Sequence, residues 1–235
     1  MNTARAWHSD ASGSLAEVGQ PDCTVEASTL TWGFKESFRS YISGTIASGE
    51  WTVADGASYQ TPNFGWTGGV GTYEAATGEG VLAFTGSVEF TGHGGVLDTT
   101  VANPVIEFAG GDSATLLLDV SGTTQEGASV SEAGVEFAEI DLSTASVEWA
   151  GGVLTVTDAT ATLTSPGAEA FGTYPAGEQL DPLSFTLTVD ETCAPGAIVD
   201  PTGADLGWPL WLAVGIVLAG AVAAAVAIRA RSRRP

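Results

Sequence analysis

Between Cys23 and Cys193 the chain breaks repeatedly into short runs rich in Val, Thr, Phe and Leu, each stopped by glycine or a polar turn. Eight such runs stand out: Val81 to Phe84, Ser87 to Thr91, Val101 to Phe108, Ala114 to Val120, Val135 to Leu142, Val147 to Trp149, Val153 to Leu163 and Leu183 to Val189. β-branched and aromatic residues bounded by turn formers read as strands. Several runs alternate, as Val88 and Phe90 do against Glu89 and Thr91. Alternation of this kind marks antiparallel strands with one wet face. The stretch between the cysteines is long enough to bury one sizeable core. The expected fold is mainly β, an antiparallel β-sandwich-like domain. The fragments SVEF, GVEF and SVEW share strand composition and do not define an internal repeat.

One segment departs from the β pattern. In LTWGFKESFRSYISGTI, from Leu30 to Ile46, Phe34, Phe38, Tyr41 and Ile42 recur at helical spacing, and Gly44 is placed to cap the end. At about 100° per residue, Phe34, Ser37, Phe38 and Tyr41 share a face, with Lys35 and Arg39 opposite, free to pair with Glu36 or meet solvent. One or two short helices are therefore expected beside the sheet.

The end of the chain has a different chemistry. Trp208 to Ile228 is a 21-residue run without a charged side chain, followed by Arg229, Arg231, Arg233 and Arg234. As a helix it would span a bilayer, with tryptophans at one interface and arginines at the cytoplasmic one. The expected organisation is an N-terminal leader (1–21), a β domain (22–193), a Pro/Gly/Asp linker (194–206), a single transmembrane helix (207–228) and a basic tail (229–235). The domain is then extracellular and the C-terminus cytoplasmic. Export requires a signal that MNTARAWHSDASGSLAEVGQPD does not display, so the start of translation is expected upstream. Before Trp208 stand Arg5, Lys35 and Arg39 against all 28 acids, a balance of −25. Such a charge excludes nucleic acid, whose binding rests on neutralising phosphates, and keeps the domain clear of anionic lipid. In an oxidising compartment the two cysteines, Cys23 and Cys193, have each other as the one intramolecular partner, and a disulfide is expected. Metal binding by cysteine is not expected, for lack of a CxxC or Cys/His cluster.

Few residues suggest chemistry. His93 lies in FTGHGGVLD, flanked by glycines that let a planar ligand approach the backbone. FGTYPAGEQLDP places Phe171 and Tyr174 on a Gly/Pro loop ahead of the last strand run. GVGTYEAATGEG, Gly69 to Gly80, lacks the Lys-Ser/Thr of a phosphate loop. No GxSxG elbow is present, and among so many acids the paired carboxylates of a glycosidase carry no signal. A binding module is expected, not an enzyme. The competing possibility is a cofactor-free cell-surface adhesion or spacer domain.

LTWGFKESFRSYISGTI, FTGHGGVLD and FGTYPAGEQLDPLSF, with WTVADGA and GDSATLLLDV between them, resemble the HtaA domain of actinobacterial haemin-uptake surface proteins from Asp22 to Val189. The resemblance implies a membrane-anchored surface protein that captures ferric haem b and passes it on for haem-iron uptake. It implies Tyr41 as the axial ligand to the haem iron, His93 hydrogen-bonded to that phenolate, and Tyr174 as a second tyrosine nearby. A phenolate is a hard anionic donor that favours Fe(III). By position, Phe34, Phe38 and Phe171 are candidates for the porphyrin walls, and Ser37 and Tyr174 for the propionates. Haemoglobin or other haem-carrying surface proteins, and a haem ABC transporter, are the candidate donors and acceptors.

Overall fold

A computed structural model describes residues 23–123 and 129–194. The expected leader, linker, transmembrane helix and tail lie outside the described residues, apart from Ala194. Among the described residues no helix is long and apolar enough to cross a membrane.

The chain runs β1 (Cys23–Val25), β2 (Ala27–Trp32), α1 (Glu36–Ser43), β3 (Glu50–Ala54), β4 (Ser58–Gln60), β5 (Asn63–Thr67), β6 (Val70–Glu74) and β7 (Glu79–Ala83). It continues through β8 (Ser87–Gly92), β9 (Leu97–Ala109), β10 (Ser113–Thr123), β11 (Ser129–Asp141), β12 (Ser146–Ala150), β13 (Val153–Leu163), α2 (Ser165–Phe171) and β14 (Leu183–Thr188). Each of the eight runs read as β falls on a strand, β7 to β14. The strands β1 to β6 have no counterpart among those runs; most are short, and Gly65 and Gly71 interrupt β5 and β6. The glycine-rich stretch at 69–80 is a hairpin of β6 and β7, with Val70 opposite Ala83 and Glu74 opposite Glu79.

The sandwich expectation is modified. The described strands form one antiparallel 14-stranded sheet in the order β1-β6-β7-β9-β10-β11-β13-β14-β2-β5-β4, with β3, β8 and β12 on side branches. Two long strands let one sheet curl where two would otherwise be needed. The N-terminal half of β13 pairs with β12 and β14, and its C-terminal half with β11. Between those halves the register shifts at Val156/Ala159, and Asp158 adopts φ 58°. An extra residue of this kind bends and twists a strand. In β9 the division falls at Asn103 (φ 51°) and Pro104, with β8 paired before it and β7 after.

Curling brings distant strands face to face. Phe108 of β9 lies 5.5 Å, centroid to centroid, from Phe185 of β14, and Trp32 of β2 lies 6.0 Å from Phe137 of β11. The inward residues of β2 and β14 alternate strictly with outward ones, as half-buried strands require. At one end of this interior Phe34, Phe64 and Phe90 meet edge to face at 5.3–5.6 Å, the geometry aromatic rings prefer.

Cys23 and Cys193 are joined, closing a loop of sequence separation 170. The link ties the sheet-edge strand β1 to the turn that follows β14. In the chain-entropy account a loop this long constrains the unfolded state by roughly 4 to 5 kcal/mol. Reduction is expected to lower the melting temperature, and thiol reagents are expected to label neither cysteine until reductant is added. An unchanged melting temperature on reduction would mean that strand pairing alone holds β1.

Candidate functional site

The helix α1 starts later than its apolar spacing suggested, because Leu30 to Trp32 complete β2 and pair with Phe185 to Leu183 of β14. The chain then turns through Gly33 and a left-handed Phe34, φ 60°. An eight-residue helix has little stability of its own in water, and this one has no side-chain cap from its N-cap residue, Lys35. Asp181, just before β14, supplies what is missing. Its Oδ1 accepts from Glu36 N at 2.9 Å, and its Oδ2 accepts from Arg39 Nη1 at 2.5 Å. Its backbone N–H donates to Phe34 O at 2.8 Å, and its carbonyl accepts from Trp32 Nε1 at 2.9 Å. Arg39 Nη1 also donates to Gly33 O. Room for this pairing depends on Gly33, where a Cβ would lie 2.6 Å from Asp181 Oδ2 and 2.7 Å from Arg39 Nη1. Arg39 is therefore buried and paired across the fold, instead of meeting Glu36 or solvent.

Docked this way, α1 turns Phe38 and Ile42 inward and leaves Tyr41 half-buried at the surface. Tyr41 Oη lies 2.6 Å from His93 Nε2. His93 reaches this place through an unusual backbone. It stands at φ 52° in the turn between β8 and β9, followed by Gly94 at 65°, and Gly95 N donates to Gly92 O at 3.0 Å. Two consecutive positive-φ residues suit a tight hairpin turn, but a left-handed histidine costs on the order of 1–2 kcal/mol. Two contacts hold it there, the Tyr41 bond and the donation of His93 N to Ala47 O at 2.7 Å. The 44–49 loop can come this close because Gly49 has no Cβ; one would lie 1.9 Å from Thr91 O. Gly44 ends α1 in an extended conformation, φ −80°, its N–H bonding to Tyr41 O.

A depression of about 160 Å³ opens beside the pair, lined by Tyr41, His93, Val96 and Leu97. A neighbouring cleft of about 370 Å³ runs along Ser48, Gly49, Glu50, Thr91, Gly92, Gly94 and Gly95. Val96 is 65% exposed, and Ile46, next to Ala47, is 74% exposed. Val96, beside the phenol and the imidazole, was not among the residues read as candidates, because nothing in sequence separates it from a core position.

Ser37, one turn before Tyr41, lies with its Oγ 2.9 Å from Tyr174 Oη. Tyr174 follows α2, whose N-terminus is capped by Thr164 accepting from Gly167 N at 2.9 Å and whose C-terminus ends on left-handed Gly172. Phe171 closes that helix instead of lying on a loop, and stacks on Tyr174 at 6.4 Å and 18°. Phe34, Phe38 and Phe171 are buried in the core, Phe38 lying 5.0 Å from both Phe90 and Phe171. They support the site from beneath and present no face to solvent. The remaining tyrosines are placed elsewhere. Tyr59 packs on Trp51 and Phe64. Tyr73 packs against Phe108 and Trp149, where burial pushes its phenol above the ordinary value and disfavours a phenolate.

Fold and site together define a curled, all-antiparallel module that presents a hydrogen-bonded tyrosine–histidine pair and a serine–tyrosine pair along one short helix. The HtaA (Htaa) family model matches residues 27–186. The chain belongs to the HtaA family. Among solved structures, the C-terminal domain of HtaA from Corynebacterium glutamicum is 34% identical, covered over 71% of this chain and 99% of that one, with a TM-score of 0.65. The N-terminal domain of the same HtaA is 33% identical over 71% of this chain and 98% of its own, with a TM-score of 0.56. The heme binding protein HtaB from Corynebacterium glutamicum, 23% identical over 70% of this chain and 94% of its own, shares the fold with a TM-score of 0.52. No curated protein matches the chain.

Asp181→Ala is expected to cost roughly 3 to 5 kcal/mol in urea denaturation, because it strands a buried guanidinium and uncaps α1. Asp181→Asn, which keeps an acceptor for Glu36 N, is expected to lose less. A loss below about 1 kcal/mol for the alanine variant would mean that α1 docks without this carboxylate.

Proposed function

We propose that this chain is a cell-surface haem-binding protein, which captures ferric haem b through Tyr41 as axial ligand and passes it on for haem-iron uptake. Membership of the HtaA family supports the reading, as does the shared fold with a protein described as heme binding. The observation that carries it is the 2.6 Å contact between Tyr41 Oη and His93 Nε2 at an open surface.

The chemistry follows from that contact. When bound, the ferric iron supplies a Lewis acid that stabilises the deprotonated phenol. Tyr41 must give up its proton to become an anionic donor, and His93 Nε2 is placed to accept it. The same N–H then donates back to the phenolate oxygen, the role that groups hydrogen-bonded to a metal's ligand play in tuning its donor strength. Ser37 Oγ and Tyr174 Oη offer neutral donors for a propionate. The depression beside the pair, about 160 Å³, is below those that enclose a drug-sized ligand, so the porphyrin would stay partly open to solvent, resting on Val96 and the bare backbone of Gly94 and Gly95. Partial exposure suits a module that must release its cargo. Binding, not catalysis, is the function this arrangement serves.

The proposed setting is the outer face of the cell membrane, with the Trp208 to Ile228 run as the anchor and the four arginines inside. Haemoglobin or other haem-carrying surface proteins are the proposed sources and a haem ABC transporter the proposed acceptor.

Tyr41→Ala is expected to abolish the Soret band that haemin develops with the wild-type domain. His93→Ala is expected to retain haemin with roughly 10- to 100-fold weaker affinity or a shifted spectrum. An unaltered spectrum and affinity in Tyr41→Ala would move the ligand elsewhere, and loss of the axial ligand in His93→Ala alone would make the imidazole the donor. Protease added to intact cells is expected to release the domain by cutting at 194–205 and to leave the arginine tail protected. A protected domain would reverse the orientation.

A further inference from the structure

Haem brings two negatively charged propionates to a protein that is itself strongly acidic. Among the described residues only Lys35 and Arg39 are basic. The Arg39 side chain is 10% exposed and committed to Asp181 and the Gly33 carbonyl, so it cannot leave without undoing α1. Lys35 is held differently. Its Nζ lies 2.6 Å from Glu178 Oε1 and 2.7 Å from Gln179 O, at the surface edge of the site. The same ammonium sits 5.3 Å from the ring centroid of Tyr174, whose hydroxyl meets Ser37 Oγ. The lysine thus flanks the paired hydroxyls of Ser37 and Tyr174, and it does so from the position just before the helix that carries both Ser37 and Tyr41.

Building on the haem-binding reading above, we infer that Lys35 is the cation that recognises a haem propionate, and that Glu178 holds it in reserve until haem arrives. A partly exposed lysine–carboxylate pair is weak, and the four-carbon stem of lysine can re-aim its head without moving the backbone. The carboxylate side is the fixed one. Glu178 O accepts from Leu163 N at 2.9 Å, and Gln179 bridges to Thr162 of β13. On capture, Lys35 Nζ leaves the Glu178 carboxylate for a propionate oxygen beside Ser37 and Tyr174. On release it returns. Glu178 therefore competes with the ligand for one ammonium, which sets affinity below what an unopposed lysine would give and favours hand-over. This assigns Lys35 a specificity role toward carboxylated porphyrins, apart from iron ligation by Tyr41.

The test compares haemin with haemin dimethyl ester, whose propionates carry no charge, on wild type, Lys35→Met and Glu178→Gln, with thermal melting to check folding. Lys35→Met is expected to bind haemin threefold to tenfold more weakly with a flatter salt dependence, while binding the diester as wild type does. Glu178→Gln is expected to bind haemin more tightly and release it more slowly. Unchanged haemin affinity in Lys35→Met, or equal losses for haemin and diester, would overturn the assignment while leaving Tyr41 ligation intact. A wild-type protein that failed to bind haemin at all would overturn both.

Discussion

The carboxylate of Asp181 is the contact on which the site depends. It caps α1 at Glu36 N and pairs with Arg39 one turn further on, while its own backbone fixes Phe34 and Trp32. The residue lies two positions before β14, and β14 pairs directly with β2, from which α1 emerges. Helix and carboxylate are therefore presented by neighbouring strands, so the angle of α1 is set by the sheet. That angle points Phe38 and Ile42 into the aromatic interior and leaves Ser37 and Tyr41 outside. In a pair with the guanidinium 10% and the carboxylate 25% exposed, desolvation offsets part of the attraction, whereas removing one partner leaves the other uncompensated.

Around that helix three non-glycine residues adopt left-handed backbones, Phe34, Ser48 and His93. Phe34 lies between β2 and α1, Ser48 between α1 and β3, and His93 in the β8–β9 turn that meets Tyr41 and Ala47. Strain of this kind persists only where the surroundings over-determine it. Here the surroundings are the Asp181 N–H on Phe34 O, the Ser48 N–H on Gly44 O and the Ala47 carbonyl on His93 N. The result is a phenol and an imidazole pre-aligned on separate elements, so that little rearrangement is left for a ligand to drive.

Much of this was legible in the residues. The eight strand runs and the helix could be read because periodicity and turn placement are local, and the disulfide partners because the chain has two cysteines. Tyr41, His93 and Tyr174 were singled out by the resemblance of their motifs to the HtaA domain. What could not be read is non-local. Twenty-eight acids hide the one carboxylate that matters, and Asp181 lies some 140 residues from the arginine it pairs with. The burial of Phe34, Phe38 and Phe171 was also hidden, since a helical face of aromatics looks the same whether it lines a cleft or fills a core. The single sheet was read as a sandwich because the bends at Asn103 and Asp158 occur inside long strands, where an Asn or Asp gives no stronger signal than an ordinary polar position.

Resonance Raman spectroscopy of the haemin complex tests the central claim most directly, because it reads the iron's ligand without substituting any residue. Tyrosinate coordination at Tyr41 predicts phenolate ring modes enhanced through the ligand-to-iron charge-transfer band. A spectrum of imidazole-ligated or water-ligated haem, with no phenolate modes, would contradict the account.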